Sequence, residues 1–145
     1  TFLTQITKPH QQPNQEVNEM TNPSIFTRSE AESDTVYNPK SGFHTNVAVT
    51  GEHLQMIWAK LEPEGDYALH SHPHEQFSVM IQGRMRLTVG DDVRDIGPGD
   101  MWYAPVGVEH GGEVLGTEPV IFIDVYAPPS STITDHVKQL KAQTT

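Results

Sequence analysis

From residue 47 onward, the chain consists of short apolar runs separated by glycine, proline and aspartate. Such runs predict β-strands joined by tight turns, because β-branched and aromatic residues favour extended backbone whereas Gly, Pro and Asp favour turns. The predicted strands are 47–50, 54–61, 76–82, 84–89, 101–104 and 120–126. Turn signals stand at Gln82-Gly83-Arg84, Gly90-Asp91-Asp92 and Pro98-Gly99-Asp100. Many short strands with regular tight turns predict an all-β sandwich or jelly-roll barrel.

The two ends of the chain differ in composition from the middle. The N-terminal segment is rich in Gln, Asn, Thr, Ser, Glu and Pro, and it contains too few apolar residues to build a core. We therefore expect an N-terminal arm over 1–45, which is either partly flexible or pairs with the sheet edge of a second subunit. The β-barrel is expected over 46–130. The C-terminal 131–145 should hold the only helix, around 133–141, with Thr134 as its N-terminal cap.

Charge and cysteine content exclude several classes of partner and of site. Lys plus Arg total 9 against 19 for Asp plus Glu, and the resulting formal net charge of −10 argues against a nucleic-acid partner. The chain has no cysteine, so any metal site must use nitrogen and oxygen ligands. We see no apolar run of about 18 residues and no charged-then-apolar N-terminus. These observations predict a cytoplasmic protein with no membrane partner.

A cluster of imidazole side chains marks the candidate functional site. His70, His72, His74 and Gln76 are spaced two residues apart, so on an extended strand their side chains would leave the same face and could converge on one ion. Imidazole nitrogens suit first-row transition metals, and a carboxamide oxygen can complete the ligand set. His110 follows a turn rich in glycine and proline, which would let it arrive from a neighbouring strand. The pattern predicts a metal site.

Both histidine segments resemble the sequence motifs of the cupin superfamily. The first family motif contains a glycine, His-x-His, an acid and a second glycine, and the corresponding residues here are Gly65, His70, His72, Gln76 and Gly83. The second motif, Gly-x5-Pro-x-Gly-x2-His, is matched without a gap by Gly99, Pro105, Gly107 and His110. The resemblance covers roughly 45–128. It implies a single-domain metal cupin, a double-stranded β-helix or jelly-roll barrel, with a divalent ion bound by the three histidines and Gln76.

Departures from the family pattern bear on the chemistry of the site. Gln76 stands where the family has glutamate, so the protein would leave the ion's charge uncompensated and the ion a stronger Lewis acid for an enolate. Val114 stands where the second motif ends in asparagine. On the terminal strand, Asp124 and Tyr126 resemble residues of a small cupin from pectin breakdown that opens uronate rings, but Ser130 replaces its arginine. The lost arginine argues against a sugar carboxylate as substrate.

The whole chain resembles the single-domain cupin cyclases of bacterial aromatic polyketide pathways of the resistomycin type. This resemblance implies intramolecular aldol cyclisation and aromatisation of a poly-β-carbonyl chain, which is either free or tethered to a carrier protein. The apolar neighbours of Asp124 would raise its pKa toward a useful acid–base range, unless this residue is a structural carboxylate bonded to a turn. Tyr126 would position the enol. We expect zinc, with iron, nickel, manganese and cobalt as alternatives, and a homodimer.

Other functions and other ligands remain open at this point. The same metal site would serve a sugar isomerase or ring opener, an iron dioxygenase, or a binding module that senses a small ligand and catalyses nothing. His74 is either a ligand or a residue at the rim of the site. His44 and His53 are surface residues or extra ligands. Parity alone does not assign Trp58 and Trp102 to a face of the sheet.

Overall fold

The computed structural model describes residues 24–143, which form ten strands and two helices. The strands are β1 (Val36–Asn38), β2 (Phe43–Thr50), β3 (Gln55–Leu61), β4 (Tyr67–His70), β5 (Glu75–Gln82), β6 (Arg84–Val89), β7 (Asp92–Ile96), β8 (Met101–Ala104), β9 (His110–Leu115) and β10 (Val120–Ala127). The helices are α1 (Arg28–Ser33) and α2 (Ser131–Gln143).

The strands form two antiparallel sheets. The six-stranded sheet has the order β1-β2-β3-β10-β5-β8, and the four-stranded sheet has the order β4-β9-β6-β7. Strands distant in sequence are therefore neighbours, as β10 is of both β3 and β5. The arrangement confirms the predicted all-β jelly-roll barrel of the double-stranded β-helix type, followed by a short C-terminal helix.

The core lies between the two sheets. Leu61, Met80 and Phe122 of the six-stranded sheet are at most 1% exposed, and they form one cluster with Met85 of the four-stranded sheet. Trp102 points into the same cluster, with its ring 5.3 Å from the ring of Phe122. Alternate residues on each strand thus supply the interior, as the period of two requires.

The opposite face of the six-stranded sheet is also partly covered. Trp58 packs there against Ala31 of α1 and Ile121 of β10, and the guanidinium of Arg28 lies 5.8 Å from its ring centre. The two tryptophans therefore face opposite sides of one sheet. Such a contact shields the apolar surface that Trp58 would otherwise present to water.

The strand predictions were incomplete. The six predicted strands all occur, but β1, β4, β7 and β9 were missed, and β2 begins four residues earlier than expected. β7 is an exposed strand that contains Asp92, Arg94 and Asp95, so it carries no apolar run. β9 contains Gly111 and Gly112, which have low strand propensity. β4 has only four residues, too few for a recognisable alternation.

The helix predictions need two corrections. α1 was missed, although Thr27 and Glu30 form a complete capping box whose spacing is legible in the sequence. α2 begins at Ser131, and Thr134 is not its cap. Instead, the Ser130 hydroxyl accepts a hydrogen bond from the Ile133 N–H at 3.2 Å. In the part of the chain described, neither helix is long and apolar enough to cross a membrane.

The predicted arm is only partly within the described residues. Residues 24–45 contain α1, β1 and the start of β2, and Ala31 and Val36 in this stretch are buried. This part therefore packs on the barrel of its own chain. The rest of the arm prediction falls on 1–23, which lie outside the described residues.

Candidate metal centre

The three histidines of the two motifs meet at one mouth of the barrel. His70 ends β4, His72 lies in the connection to β5, and His110 begins β9. One ring nitrogen from each lies within 4.8 Å of the others. His70 and His110 face each other as register partners across β4 and β9. The structure thus brings together three of the four predicted ligands from segments 40 residues apart in the chain.

A glycine permits the close approach of β9 to β4. A Cβ atom on Gly111 would lie 2.6 Å from the carbonyl oxygen of Tyr67, a distance that real Cβ atoms do not adopt. Any side chain at this position would push the two strands apart. His110 would then move away from His70, so Gly111 is a structural requirement of the histidine cluster.

Each of the three rings is oriented by a hydrogen bond from its Nδ1 atom to a backbone carbonyl. The acceptors are the carbonyl oxygens of Ala68 for His70 at 2.8 Å, His74 for His72 at 2.7 Å, and Val108 for His110 at 3.0 Å. A ring whose Nδ1 donates a proton is in the tautomer with a free lone pair on Nε2. This is how metal-binding histidines are usually held, because the second nitrogen fixes both the ring and its tautomer.

The Nε2 atom of His110 lacks a hydrogen-bond partner among the described residues, although the side chain is completely buried. Burial lowers the pKa of His110 to about 4, against the opposing effect of the Val108 carbonyl. The ring is therefore neutral, with a lone pair directed at the other two histidines. A bound cation would satisfy this otherwise costly buried acceptor.

Gln76 completes the cluster from the side of β5. Its side chain is 1% exposed, and its Oε1 atom lies 3.0 Å from Nε2 of His72. Because Nδ1 of His72 donates to the backbone, both of these atoms are acceptors, and their approach is favourable only with a cation or a proton between them. The amide NH₂ of Gln76 donates to Ser78 Oγ at 2.9 Å and to Asp124 Oδ1 at 3.0 Å. Three nitrogens and one oxygen therefore fit a divalent metal ion.

Asp124 is buried beside this ligand set. It is 4% exposed and accepts hydrogen bonds from Ser78 Oγ at 2.6 Å, Gln76 Nε2 at 3.0 Å and Tyr126 Oη at 3.2 Å. Burial raises its pKa to about 7, although these three donors act in the opposite direction. The neighbours follow from strand register, since Asp124 pairs with Ser78 and Tyr126 pairs with Gln76 across β10 and β5. A carboxylate with this pKa can accept and release protons near neutral pH.

Two buried phenols accompany Asp124. Burial, together with the charge of Asp124, raises the pKa of both Tyr126 and Tyr67 well above the usual range, so both rings keep their protons and can donate hydrogen bonds. Tyr67 was not predicted from the sequence as a residue of the site. Its strand is short, and the β4–β9 register shifts between Tyr67 and His70, so counting parity could not place it.

Of the two roles left open for His74, the structure places this residue at the rim of the site. The chain is not one extended strand through the motif, because β4 ends at His70 and β5 begins at Glu75. His74 instead stacks on His72 with ring centres 3.9 Å apart, outside the three-histidine cluster and at its rim. The histidines converge because the loop between the strands folds back.

His44 and His53 also lie apart from the cluster. The His44 ring is within 2.8 Å of Glu62, and it stacks on Tyr37 on the paired strands β1 and β2. His53 lies in the β2–β3 connection with 85% of its side chain exposed. Neither residue contributes to the candidate metal centre.

Two cavities border the site. The first, here called the outer cavity, has a volume of about 620 Å³ and is lined by the β4–β5 loop, by Tyr126 and by the first turns of α2. The second, the inner cavity, has a volume of about 310 Å³ and is lined by apolar and aromatic residues of the barrel together with polar ones, among them the carboxylates of Asp66 and Asp124. Neither cavity is lined by a lysine or an arginine of the described chain. The surroundings of the metal centre therefore combine polar and apolar side chains and contain no lysine or arginine, whereas four histidines line the outer cavity.

Comparison with known proteins places this barrel in a family. The cupin-domain family model matches residues 57–126. The barrel has the cupin fold. The cupin fold predicted from the sequence is thus confirmed, and both histidine motifs lie within the matched residues.

Relatives of the domain differ in length and in chemistry. The oxalate decarboxylase of Bacillus subtilis (strain 168) is 29% identical over 126 residues, covering 71% of this chain and 33% of the relative. This chain thus spans about a third of that protein's length. A solved structure of that decarboxylase, described for its Mn(II) centres, superimposes with a TM-score of 0.60 at 27% identity, covering 71% of this chain and 30% of the other. Proteins similar to this barrel therefore include an enzyme with Mn(II) centres.

A second solved structure matches nearly its whole length. KdgF from Halomonas sp. superimposes with a TM-score of 0.66 at 22% identity, and the alignment covers 76% of this chain and 99% of that one. At this level of identity the likeness concerns the fold. It shows that the same fold makes up nearly the whole of another chain.

Proposed function

We propose that this cupin is a metal-dependent enzyme that cyclises a poly-β-carbonyl chain by intramolecular aldol reaction, as in aromatic polyketide biosynthesis. The observation that carries the proposal is the buried Asp124 carboxylate, hydrogen-bonded to Gln76 of the candidate ligand set and facing a cavity without cationic side chains. This arrangement suits a neutral substrate that must lose a proton from carbon.

A divalent cation held by the three histidines and Gln76 would supply Lewis acidity, which polarises carbonyl oxygens and acidifies the C–H bonds between them. Asp124 accepts the proton from the carbon between two carbonyl groups. That carbon then bonds to a distant carbonyl carbon of the same chain, and the alkoxide formed takes up a proton returned from Asp124. Tyr126, which remains protonated, donates a hydrogen bond that orients the enol. Loss of water then produces the aromatic ring.

The cavities hold the substrate in a reactive shape. A long, flexible polyketone loses conformational entropy when it folds back on itself. A binding site that already holds the folded chain reduces the entropy that is lost in the reaction step. The inner cavity is lined by Phe43, Ile57 and Phe122, which offer apolar surface to a flat, partly conjugated chain.

The lining argues against substrates that carry carboxylates. Oxalate and uronates need cationic groups that pair with their charges, and arginine is the usual choice. Ser130, which stands where the ring-opening relative has arginine, lies in the outer cavity and cannot supply such a charge. A decarboxylase or uronate isomerase would therefore have to bind its substrate through the metal and the histidines of the outer cavity, without a lysine or an arginine.

Turnover of three substrate classes tests the proposal. Metal-replete protein is incubated with a linear poly-β-ketone, with oxalate or with a uronate, and products are followed by liquid chromatography and mass spectrometry. We expect cyclised, dehydrated product from the polyketone alone. Conversion of oxalate or uronate without reaction of the polyketone would overturn the proposal.

Variants of two carboxylates show whether Asp124 moves protons. Asp124→Asn should retain the metal and lower turnover by roughly 10²–10⁴, the usual share of a general acid–base residue. Asp66→Asn is the matched control, because Asp66 lines the same inner cavity but is exposed, and it should leave turnover unchanged. Tyr126→Phe should cost less than Asp124→Asn, because the ring remains and only one hydrogen bond is lost. Wild-type turnover by Asp124→Asn would assign this residue to structure.

The identity of the metal needs its own measurement. Zinc is expected because the proposed chemistry requires no redox change, whereas manganese is the metal named for the related oxalate decarboxylase. Elemental analysis of protein purified without added metal decides between them. Zinc or another redox-inert ion fits the cyclase, and iron as the sole active metal would favour an oxygen-dependent reaction.

A further inference from the structure

The outer and inner cavities share three lining residues. His70, Tyr126 and Ile133 line both cavities. His70 is a candidate metal ligand, and Tyr126 is the phenol proposed to orient the enol. Ile133 has no polar side-chain atom and no place in the chemistry proposed above, yet it stands at the same boundary.

Ile133 is held in place by a buried anchor at the start of α2. Gln55 is 1% exposed, its Oε1 atom accepts the Ser130 N–H at 2.9 Å, and its amide NH₂ donates to Thr134 Oγ1 at 2.9 Å. Ser130 in turn accepts the Ile133 N–H at 3.2 Å. The first turn of α2 is thus tied to β3 on both sides of Ile133, so the position of this side chain relative to the cavities is fixed.

The two cavities differ in character across this boundary. The outer cavity is lined on the α2 side by Ser131 and Thr132, and it contains the rings of His72 and His74. The inner cavity has about half the volume, and its apolar surface is formed by residues such as Phe43, Ile57 and Phe122, beside the carboxylates of Asp66 and Asp124. A molecule that spans both would place a polar part outside and an apolar part inside, with its centre beside His70 and Tyr126.

We infer that Ile133 determines which substrates fit, by setting the width of the passage between the outer and inner cavities. The ligand class is an elongated, neutral β-dicarbonyl compound, with its oxygens at the metal centre and an apolar tail in the inner cavity. The inference rests on the proposed function for the chemistry of the ligand. It adds a specific role for a residue outside the cupin motifs.

Binding of β-diketones to cobalt-loaded protein tests the inference without turnover. The probes are pentane-2,4-dione, which is short, and 1-phenyldecane-1,3-dione, which has an aromatic ring and a long tail. Both are titrated against the visible absorption of bound Co²⁺, which changes when oxygen ligands enter. We expect the wild type to bind the long diketone more tightly.

The variants Ile133→Phe and Thr132→Phe are compared with the wild type. Ile133→Phe should weaken binding of the long diketone by roughly tenfold or more, the usual effect of steric misfit in an apolar pocket, and leave pentane-2,4-dione within about twofold. Thr132→Phe adds the same ring to a residue that lines only the outer cavity, and it should not produce this selectivity. Ile133→Leu, which keeps the volume, should bind as the wild type does and controls for folding of α2.

Two negative outcomes are distinguishable. If both diketones perturb the cobalt spectrum of the wild type but Ile133→Phe affects them equally, the role of Ile133 is refuted and the proposed function stands. If neither diketone perturbs the wild-type spectrum although cobalt is bound, the β-dicarbonyl substrate class fails, and the inference about Ile133 fails with it.

Discussion

Replacing Asp124 with asparagine should make the metal-free protein more stable at pH 8 than the wild type. Burial raises the pKa of Asp124 from 3.8 to about 7, which means that the folded protein holds the ionised carboxylate at a disadvantage. The rise corresponds to about 4 kcal/mol of unfolding free energy when the pH is above both values. Because the side chain is almost fully buried, solvent screening does not reduce this figure appreciably.

The sign of the pH dependence follows from proton counting. Below about pH 4 the carboxyl is protonated in both states, and it contributes no pH-dependent difference between the variants. Between about pH 4 and 7 the unfolded chain has lost this proton while the folded protein keeps it, so stability falls by about 1.4 kcal/mol per pH unit. Above pH 7 the disadvantage is complete. Asparagine has no such proton, and its oxygen can still accept from Ser78 and Gln76.

Urea unfolding measured from pH 4.5 to 8 in the presence of a chelator tests this reasoning. The difference in unfolding free energy between Asp124→Asn and the wild type should grow with pH and level off above about pH 7. Tyr126→Phe is the matched control, because it keeps the carboxylate and its stability should still fall as the pH rises. The levelling-off should move to higher pH in this variant, since a hydrogen bond that lowers the pKa of Asp124 is lost. A difference that does not change with pH would refute a desolvated carboxylate.

Three further predictions concern the metal, its glutamine and the assembly. His110→Ala should lose the bound metal by elemental analysis, whereas the exposed His53→Ala should retain it; full occupancy in both would contradict the ligand assignment. Gln76→Glu should retain metal but lower turnover at neutral pH by roughly tenfold or more. The second carboxylate raises the pKa of Asp124, so less of it is ionised and able to act as a base; a faster enzyme would contradict this. The full chain should sediment as a homodimer, and deletion of 1–40, which removes α1 and β1, should leave monomer or aggregate; a full-length monomer at micromolar concentration would be inconsistent with the prediction.

The part of the site that follows from short-range spacing was predictable from the sequence. Motif spacing located His70, His72 and His110, and the alternation of residues along β5 puts Ser78 and Met80 on the same buried face as Gln76. These inferences depend on local periodicity, which an isolated strand already shows. The interior orientation of β5 follows directly from it.

Contacts between distant segments were beyond such reasoning. The hydrogen bond from Gln76 to Asp124 joins residues 48 apart, and it exists because β10 pairs with β5 in one register. A shift of that register by one residue would turn Asp124 outward, so no pattern within either strand could reveal the pair. The boundary position of Ile133 likewise depends on the anchor between Gln55 and the start of α2.

The glutamine at position 76 has two consequences, and the second depends on the fold. A neutral ligand leaves the metal ion a stronger Lewis acid, which is an argument from charge alone. The amide also has a donor that a glutamate lacks, and this donor reaches Asp124 Oδ1 at 3.0 Å. A glutamate here would put two carboxylates within hydrogen-bond distance inside a buried site, where they would share one proton and leave neither as an effective base. The glutamine at position 76 and the buried carboxylate on β10 are therefore coupled. An amide that donates a hydrogen bond to Asp124 favours its ionised form near neutral pH, whereas a glutamate at position 76 would oppose it.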